Sequence, residues 1–225
     1  SWVKDEGHLL QNPTDGLFYK PDDFNGAFYS PEETKKLFRY VVEHERDLIG
    51  YYALLTFAGL RPSEGSRVQW QDYVFKTNQL KVRKGKTHAR HIILEPVARE
   101  WMKFHRDNTP QTEPFINLRS LSNREKAIRK AVMSGAWVQD GLRHGFATYF
   151  KELTNNIPRV ADYMGNSPDI VKRHYARTVP KDEWEAFWNL TPQVVMADKS
   201  EKEQSSPLLT TPDKPTADIK TSGLP

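Results

Sequence analysis

Cysteine is absent from the 225 residues. That excludes a disulfide scaffold, a cysteine nucleophile and a thiolate metal site, and it fits a reducing, cytoplasmic compartment. No run of eighteen apolar residues exists to span a membrane. No basic segment followed by an apolar one opens the chain as a secretory signal would. Zinc-finger spacing, an RNP-type aromatic motif and a Walker loop are all missing. So are the paired acidic motifs of a two-metal nuclease, since Asp22-Asp23 sits in a turn with no partner motif. No repeat recurs at a period of 20–50 residues. The chain is also poor in apolar residues, at 37%, with a mean hydropathy of −0.73.

What is present is a modest excess of positive charge, 33 Lys+Arg against 29 Asp+Glu, and it is clustered. From Lys81 to Arg106 there are eight Lys or Arg and only Glu95 and Glu100 to oppose them. A second basic stretch holds Arg119, Arg124, Lys126, Arg129 and Lys130. One such stretch is ordinarily a solvated face; two suggest a polyanion binder.

The pattern predicts a mainly helical α+β domain with a small antiparallel sheet. Residues 1–29 read as an arm, with turn signals at Asn12–Gly16 and Lys20–Asp23 and aromatics between them. Ser30-Pro31-Glu32-Glu33 starts a helix with an N-cap, a proline at the first position and a capping glutamate. A buried helix is predicted over Asp47–Ala58 and stopped by Gly59. Strands are predicted at Val68–Trp70, Tyr73–Phe75, Leu80–Arg83 and His91–Leu94. Helices then follow around Asn123–Met133, Gly145–Leu153, Pro158–Met164 and Lys181–Asn189. In the last of these, Trp184, Phe187 and Trp188 either close the core or dock on a neighbour. Residues 193–225 read as a disordered tail, rich in Pro, Ser and Thr.

Three segments stand out in order. The first is Ala58-Gly59-Leu60-Arg61-Pro62-Ser63-Glu64. The second is Arg83-Lys84-Gly85-Lys86-Thr87-His88-Ala89-Arg90, leading into His91–Leu94. The third is Gly141-Leu142-Arg143-His144-Gly145-Phe146, followed by Met164-Gly165-Asn166-Ser167 and His174-Tyr175. Together they resemble the catalytic domain of the tyrosine recombinase, or phage integrase, family over about residues 30–192. Any one piece is weak, but the pieces occur in the family's order.

The resemblance implies a DNA recombinase or integrase that breaks and rejoins DNA through a 3′-phosphotyrosine, with no metal and no cofactor. In that chemistry Tyr175 is the nucleophile. Arg61 and Arg143 clamp the phosphate with planar forks, and Lys86 protonates the leaving oxygen. Lys84 competes with Lys86 for that role. Glu64 reads as an orienting residue. Two positions depart from the family. Asp140 (with Gln139 beside it) stands where a histidine is common, and Asn166 stands where a histidine or tryptophan is common. An amide still donates to a phosphate oxygen, whereas a carboxylate repels one.

Lys84, Arg83, Arg90, His144, Arg124 and Lys126 are the expected DNA-binding residues. The implied partners are double-stranded DNA and further copies of the chain, as a tetramer on DNA, with no membrane and no small-molecule substrate. Family members clamp DNA with a preceding helical domain, for which residues 1–29 are too short. The alternative is a catalytically impaired, recombinase-like DNA-binding protein.

Overall fold

The computed structural model describes residues 27–83, 89–110, 114–132, 138–174 and 178–197. Helix α1 (Pro31–His44) begins as its sequence dictates. Ser30 Oγ accepts from the Glu33 amide at 3.2 Å, and Glu33 Oε2 accepts from the Ser30 amide at 2.8 Å. Leu37, Phe38, Val41 and Val42 form its buried stripe. A 3₁₀ turn (Arg46–Leu48) then leads into α2 (Ile49–Phe57), every residue of which is buried. The predicted Asp47–Ala58 helix is thus shorter at both ends. Gly59, at φ +64°, turns the chain out of α2 and into the four-residue α3 (Pro62–Gly65).

Three short strands, β1 (Tyr73–Val74), β2 (Gln79–Val82) and β3 (Arg90–Ile93), form an antiparallel sheet in that order. The register pairs Tyr73 with Leu80 and Lys81 with His91. Leu80, Val82 and Ile92 face the core, while Gln79, Lys81, His91 and Ile93 face outward, the two-residue alternation of a one-sided sheet. The predicted strand at Val68–Trp70 is corrected. Trp70–Asp72 is a 3₁₀ turn, because Asp72 Oδ2 accepts from the Gln69 amide at 2.9 Å and Trp70 stacks on His105 at 5.1 Å.

The rest is helical: α4 (Pro96–Asn108), α5 (Leu121–Val132), α6 (Gly141–Thr154), α7 (Ile157–Met164), α8 (Pro168–His174) and α9 (Lys181–Trp188). The first ten residues of α6 are all buried, which makes it the central helix. Phe146 and Phe150 stack along it at 4.9 Å, and Tyr149 stacks on Phe187 of α9 at 4.3 Å. Trp188 Nε1 donates to the Tyr149 carbonyl at 3.1 Å. Phe187 therefore closes the core. Its truncation to alanine would cost about 3–5 kcal/mol.

Helix α8 was not expected, and neither was order past residue 192. Residues 192–197 are helical, with Val195 fully buried, so the predicted tail begins too early. At the other end, Phe28 and Tyr29 of the arm pack on the body: Tyr29 is buried, and its hydroxyl accepts from the Val138 amide at 3.0 Å. Among the described residues no helix is long and apolar enough to cross a membrane.

Candidate functional site

The site is built on the turn after α2. With φ +64° at Gly59, the chain reverses over Phe146 and delivers Arg61 in extended conformation as the cap of α3. Glu64, three residues on, reaches back so that its Oε2 accepts from the Arg61 amide at 2.9 Å. Its carboxylate is buried, and three arginines surround it. Arg90 of β3 grips both oxygens, Nη1 to Oε1 at 3.0 Å and Nη2 to Oε2 at 3.1 Å. Arg61 Nη1 lies 3.5 Å from Oε1, and Arg143 Nη1 lies 4.0 Å from Oε2. Burial pushes the Glu64 pKa up. Hydrogen bonds from Arg90 and the Arg61 amide, with the Arg90 and Arg143 charges, outweigh that and hold it below its ordinary value.

Arg143 lies in the first turn of α6 and is only 4% exposed. Its Nη1 donates to the Gly59 carbonyl, and its Nη2 donates to the Met164 carbonyl at 2.7 Å and to Asn166 Oδ1 at 3.4 Å. Asn166 is held in place because Gly165, at φ +63°, closes α7 and lets the Asn166 amide donate to the Ala161 carbonyl at 2.9 Å. Asn166 Oδ1 also accepts from Arg61 Nη2 at 2.9 Å. Two arginines from distant parts of the chain thus converge on one amide oxygen, above one buried carboxylate. Arg61 Nη1 is buried with no hydrogen-bond partner among the described residues. Burying a charge with too few acceptors is costly. Among the described residues, three guanidiniums around a single carboxylate leave a positive surplus that suits an anion.

Of the other expected site residues, Asp140 initiates α6 in the left-handed region, at φ +55°, which aspartate tolerates. Its carbonyl accepts from the His144 amide at 2.8 Å, and its side chain makes no capping bond. Asp140, Gln139, Arg143, Pro62 and Tyr52 line one cavity of about 490 Å³. His144 is buried within α6. Tyr175, Lys86 and Lys84 lie outside the described residues.

Several of the cations expected to contact DNA are engaged within the described chain. Arg90 is committed to Glu64 and to the Tyr163 carbonyl, 2.8 Å from its Nε. Arg124 is committed to Asp47, at 2.9 and 2.5 Å, and to Glu45 at 2.6 Å. Arg83 pairs with Asp72 at 2.9 Å, and Lys126 alone among these described cations is exposed without an ion pair. Sequence reasoning missed the backbone acceptors of Arg143, at Gly59 and Met164. Each belongs to or precedes a left-handed glycine, and such a glycine ending a helix was their available signal.

No protein-family model and no curated protein matches the chain. Solved structures do. The chain is similar to the Tn1549 transposon integrase in complex with transposon right end DNA, with a TM-score of 0.60 at 13% identity over 91% of this chain and 75% of that one. It is similar to XerA recombinase, with a TM-score of 0.54 at 14% identity over 80% and 66%. It is similar to the XerH site-specific recombinase bound to difH substrate, with a TM-score of 0.50 at 16% identity over 73% and 54%. The chain therefore spans about half of the XerH chain and about two thirds of XerA. The fold, a helical body with a three-stranded antiparallel sheet, is that of a tyrosine recombinase catalytic domain.

Proposed function

We propose that this chain is the catalytic domain of a site-specific DNA recombinase or integrase acting on double-stranded DNA. The carrying observation is the convergence of Arg61 and Arg143 on Asn166 over buried Glu64. That arrangement supports a clamp for one phosphodiester. Tyr175 Oη attacks the phosphorus, the P–O bond to the 5′-oxygen breaks, and Lys86 gives that oxygen its proton. The phenol loses its own proton to water. The two guanidiniums stabilise the charge on the non-bridging oxygens as it develops, and the Asn166 amide nitrogen donates to one of them. The 3′-phosphotyrosine ester conserves the bond for rejoining to a new 5′-hydroxyl. Strand exchange between two duplexes would need further copies of the chain, arranged as a tetramer on DNA.

The test is covalent capture on nicked duplexes. The expected result is an SDS-resistant adduct mapped to Tyr175. It is absent in Tyr175→Phe and slowed by about 10²-fold or more in Arg143→Ala, the usual cost of removing one oxyanion donor. A second reading, a catalytically impaired DNA-binding relative, is favoured by the Asp140 carboxylate lining the same cavity as Arg143. Salt-sensitive binding with no adduct would establish that reading instead.

A further inference from the structure

A carboxylate beside a phosphate clamp is a competitor for the clamp, because it offers a guanidinium the same pair of oxygens that a phosphate does. Glu64 is such a competitor, with Arg61 Nη1 at 3.5 Å and Arg143 Nη1 at 4.0 Å. Neither guanidinium makes a hydrogen bond to it among the described residues. Only Arg90 does, through both of its terminal nitrogens. The third nitrogen of Arg90, Nε, donates to the Tyr163 carbonyl, one residue before the Met164 carbonyl that holds Arg143. The Arg90 fork is thereby fixed at its stem and filled at its tip, and its side chain is only 11% exposed. It is poorly placed to grip DNA and well placed to grip Glu64.

We infer that Arg90 is a positioning residue that keeps the Glu64 carboxylate occupied, so that the Arg61 guanidinium, whose Nη1 has no hydrogen-bond partner among the described residues, stays turned to the substrate phosphate. The inference rests on the proposed phosphate clamp. Without Arg90, Glu64 keeps only the Arg61 amide hydrogen bond and the longer ion pairs to Arg61 and Arg143, an under-compensated buried charge that these two arginines are the closest cations to satisfy among the described residues. A shift of under about an ångström brings Arg61 Nη1, the nearer at 3.5 Å, to hydrogen-bond distance of Glu64 and withdraws that fork from the phosphate. Arg90 thus acts on the reaction through Glu64 and touches no reacting atom. The arrangement also makes Glu64 harmful only when Arg90 is missing, and this sets a specific genetic signature.

The test compares the intact chain with Arg90→Met, Arg90→Lys and the double variant Arg90→Met/Glu64→Gln. Three quantities are read on a nicked duplex: the rate of adduct formation, the dissociation constant at several salt concentrations, and the rate at which phenylglyoxal modifies Arg61, followed by peptide mass spectrometry. Arg90→Met is expected to slow adduct formation by about 10²-fold, the cost of losing one clamp donor, and to lower the salt slope of DNA binding by no more than about one, the share of the withdrawn fork. It is expected to slow Arg61 modification as well, because a guanidinium paired with Glu64 is protected. Adding Glu64→Gln should restore both rates to within about tenfold of the intact chain, since a neutral amide no longer competes for the forks. A residue with only a structural role gives no such recovery. Arg90→Lys, which keeps the charge without the fork, carries the same comparison if Arg90→Met fails to fold.

The inference is overturned if the double variant is no faster than the single one, or if Arg61 modification is unchanged in Arg90→Met. It is also overturned if the salt slope lowered in Arg90→Met stays lowered when Glu64→Gln is added, which would put Arg90 itself on a phosphate. If the intact chain forms no adduct, the proposed function fails alone, and Arg61 modification still decides the role of Arg90.

Discussion

Replacing Gly59 with alanine tests the fold and the site together. Gly59 sits at φ +64°, and an ideal Cβ there would lie 2.3 Å from Phe146 Cδ1, with Cε1 and Cγ at 2.8 and 2.9 Å. The left-handed conformation costs an alanine about 1–2 kcal/mol. The Phe146 ring cannot simply retreat, because it is fully buried between Phe150, Tyr163 and Trp188. Overpacking of that kind adds about 1–3 kcal/mol. The expected loss is therefore about 2–5 kcal/mol, a large part of a domain's whole stability. It corresponds to a melting temperature lowered by about 4–20 °C for a domain of this size.

Gly145, on the central helix α6 next to Phe146, supplies the control. Its added Cβ meets nothing closer than 3.7 Å, so Gly145→Ala should stabilise the helix by about 0.5–1 kcal/mol. Urea unfolding followed by tryptophan fluorescence reads both changes. A cost below about 1 kcal/mol for Gly59→Ala would refute the account. So would a destabilised Gly145→Ala. Because the Gly59 carbonyl accepts from Arg143, the adduct rate should fall with Gly59→Ala even where the chain remains folded.

Arg124 and Lys126 lie two residues apart and should behave oppositely. Arg124→Ala breaks the ion pairs to Asp47 and Glu45 and should cost about 1–3 kcal/mol of stability; Lys126→Ala should leave stability within about 0.5 kcal/mol and lower the salt slope of DNA binding by about one. Thermal melts and binding isotherms separate them, and equal effects on the salt slope would show that Arg124 reaches DNA. His105 is fully buried, with Nε2 3.0 Å from the Phe115 carbonyl. Burial holds its pKa below the ordinary 6.5, against the opposing pull of that carbonyl. Below pH 6.5 the unfolded chain binds a proton that the folded chain refuses, so stability falls as pH drops. The urea midpoint of His105→Gln should fall less over that window, and a parallel curve would refute the assignment.

What was legible in the sequence was local. Ser30-Pro31-Glu32-Glu33 announces a helix start because cap and acceptor lie three residues apart. The same spacing makes Glu64 an orienting residue for Arg61. Arg143 was legible because it heads an apolar run and must therefore be buried. What was not legible is partner choice over distance. A count of basic residues put Arg90 and Arg124 on the DNA face. Their carboxylates, at Glu64 and at Asp47 and Glu45, lie 26, 77 and 79 residues away, and no spacing rule reports them. Val68–Trp70 has strand propensity, but Trp70 enters a 3₁₀ turn and its ring stacks on His105, a contact from another part of the chain that no local pattern reports. Val195 illustrates the same limit in the tail. Its short helical turn is held by burial against the body and by its carbonyl, which accepts from Arg39 Nε at 3.0 Å, and not by propensity.

The site's charge arithmetic bears on how selective such a clamp can be. Among the described residues, three arginines and one carboxylate leave two positive charges, in a place where Asn166 and the carbonyls of Gly59, Met164 and Tyr163 supply further acceptors. At 4 Å and an effective dielectric of about 20, one unit charge attracts another by about 4 kcal/mol. An arriving phosphate therefore competes with Glu64 on nearly equal terms, and what decides the outcome is how firmly Glu64 is held elsewhere. Such a clamp recognises a phosphate, and every step of DNA presents the same phosphate. Contacts of this kind set register and orientation but carry no sequence information. If the chain acts at defined sites, the choice of site belongs to groups that reach base edges or read duplex shape. Arg61, Arg143 and Asn166 then do the same work at whichever step those groups deliver.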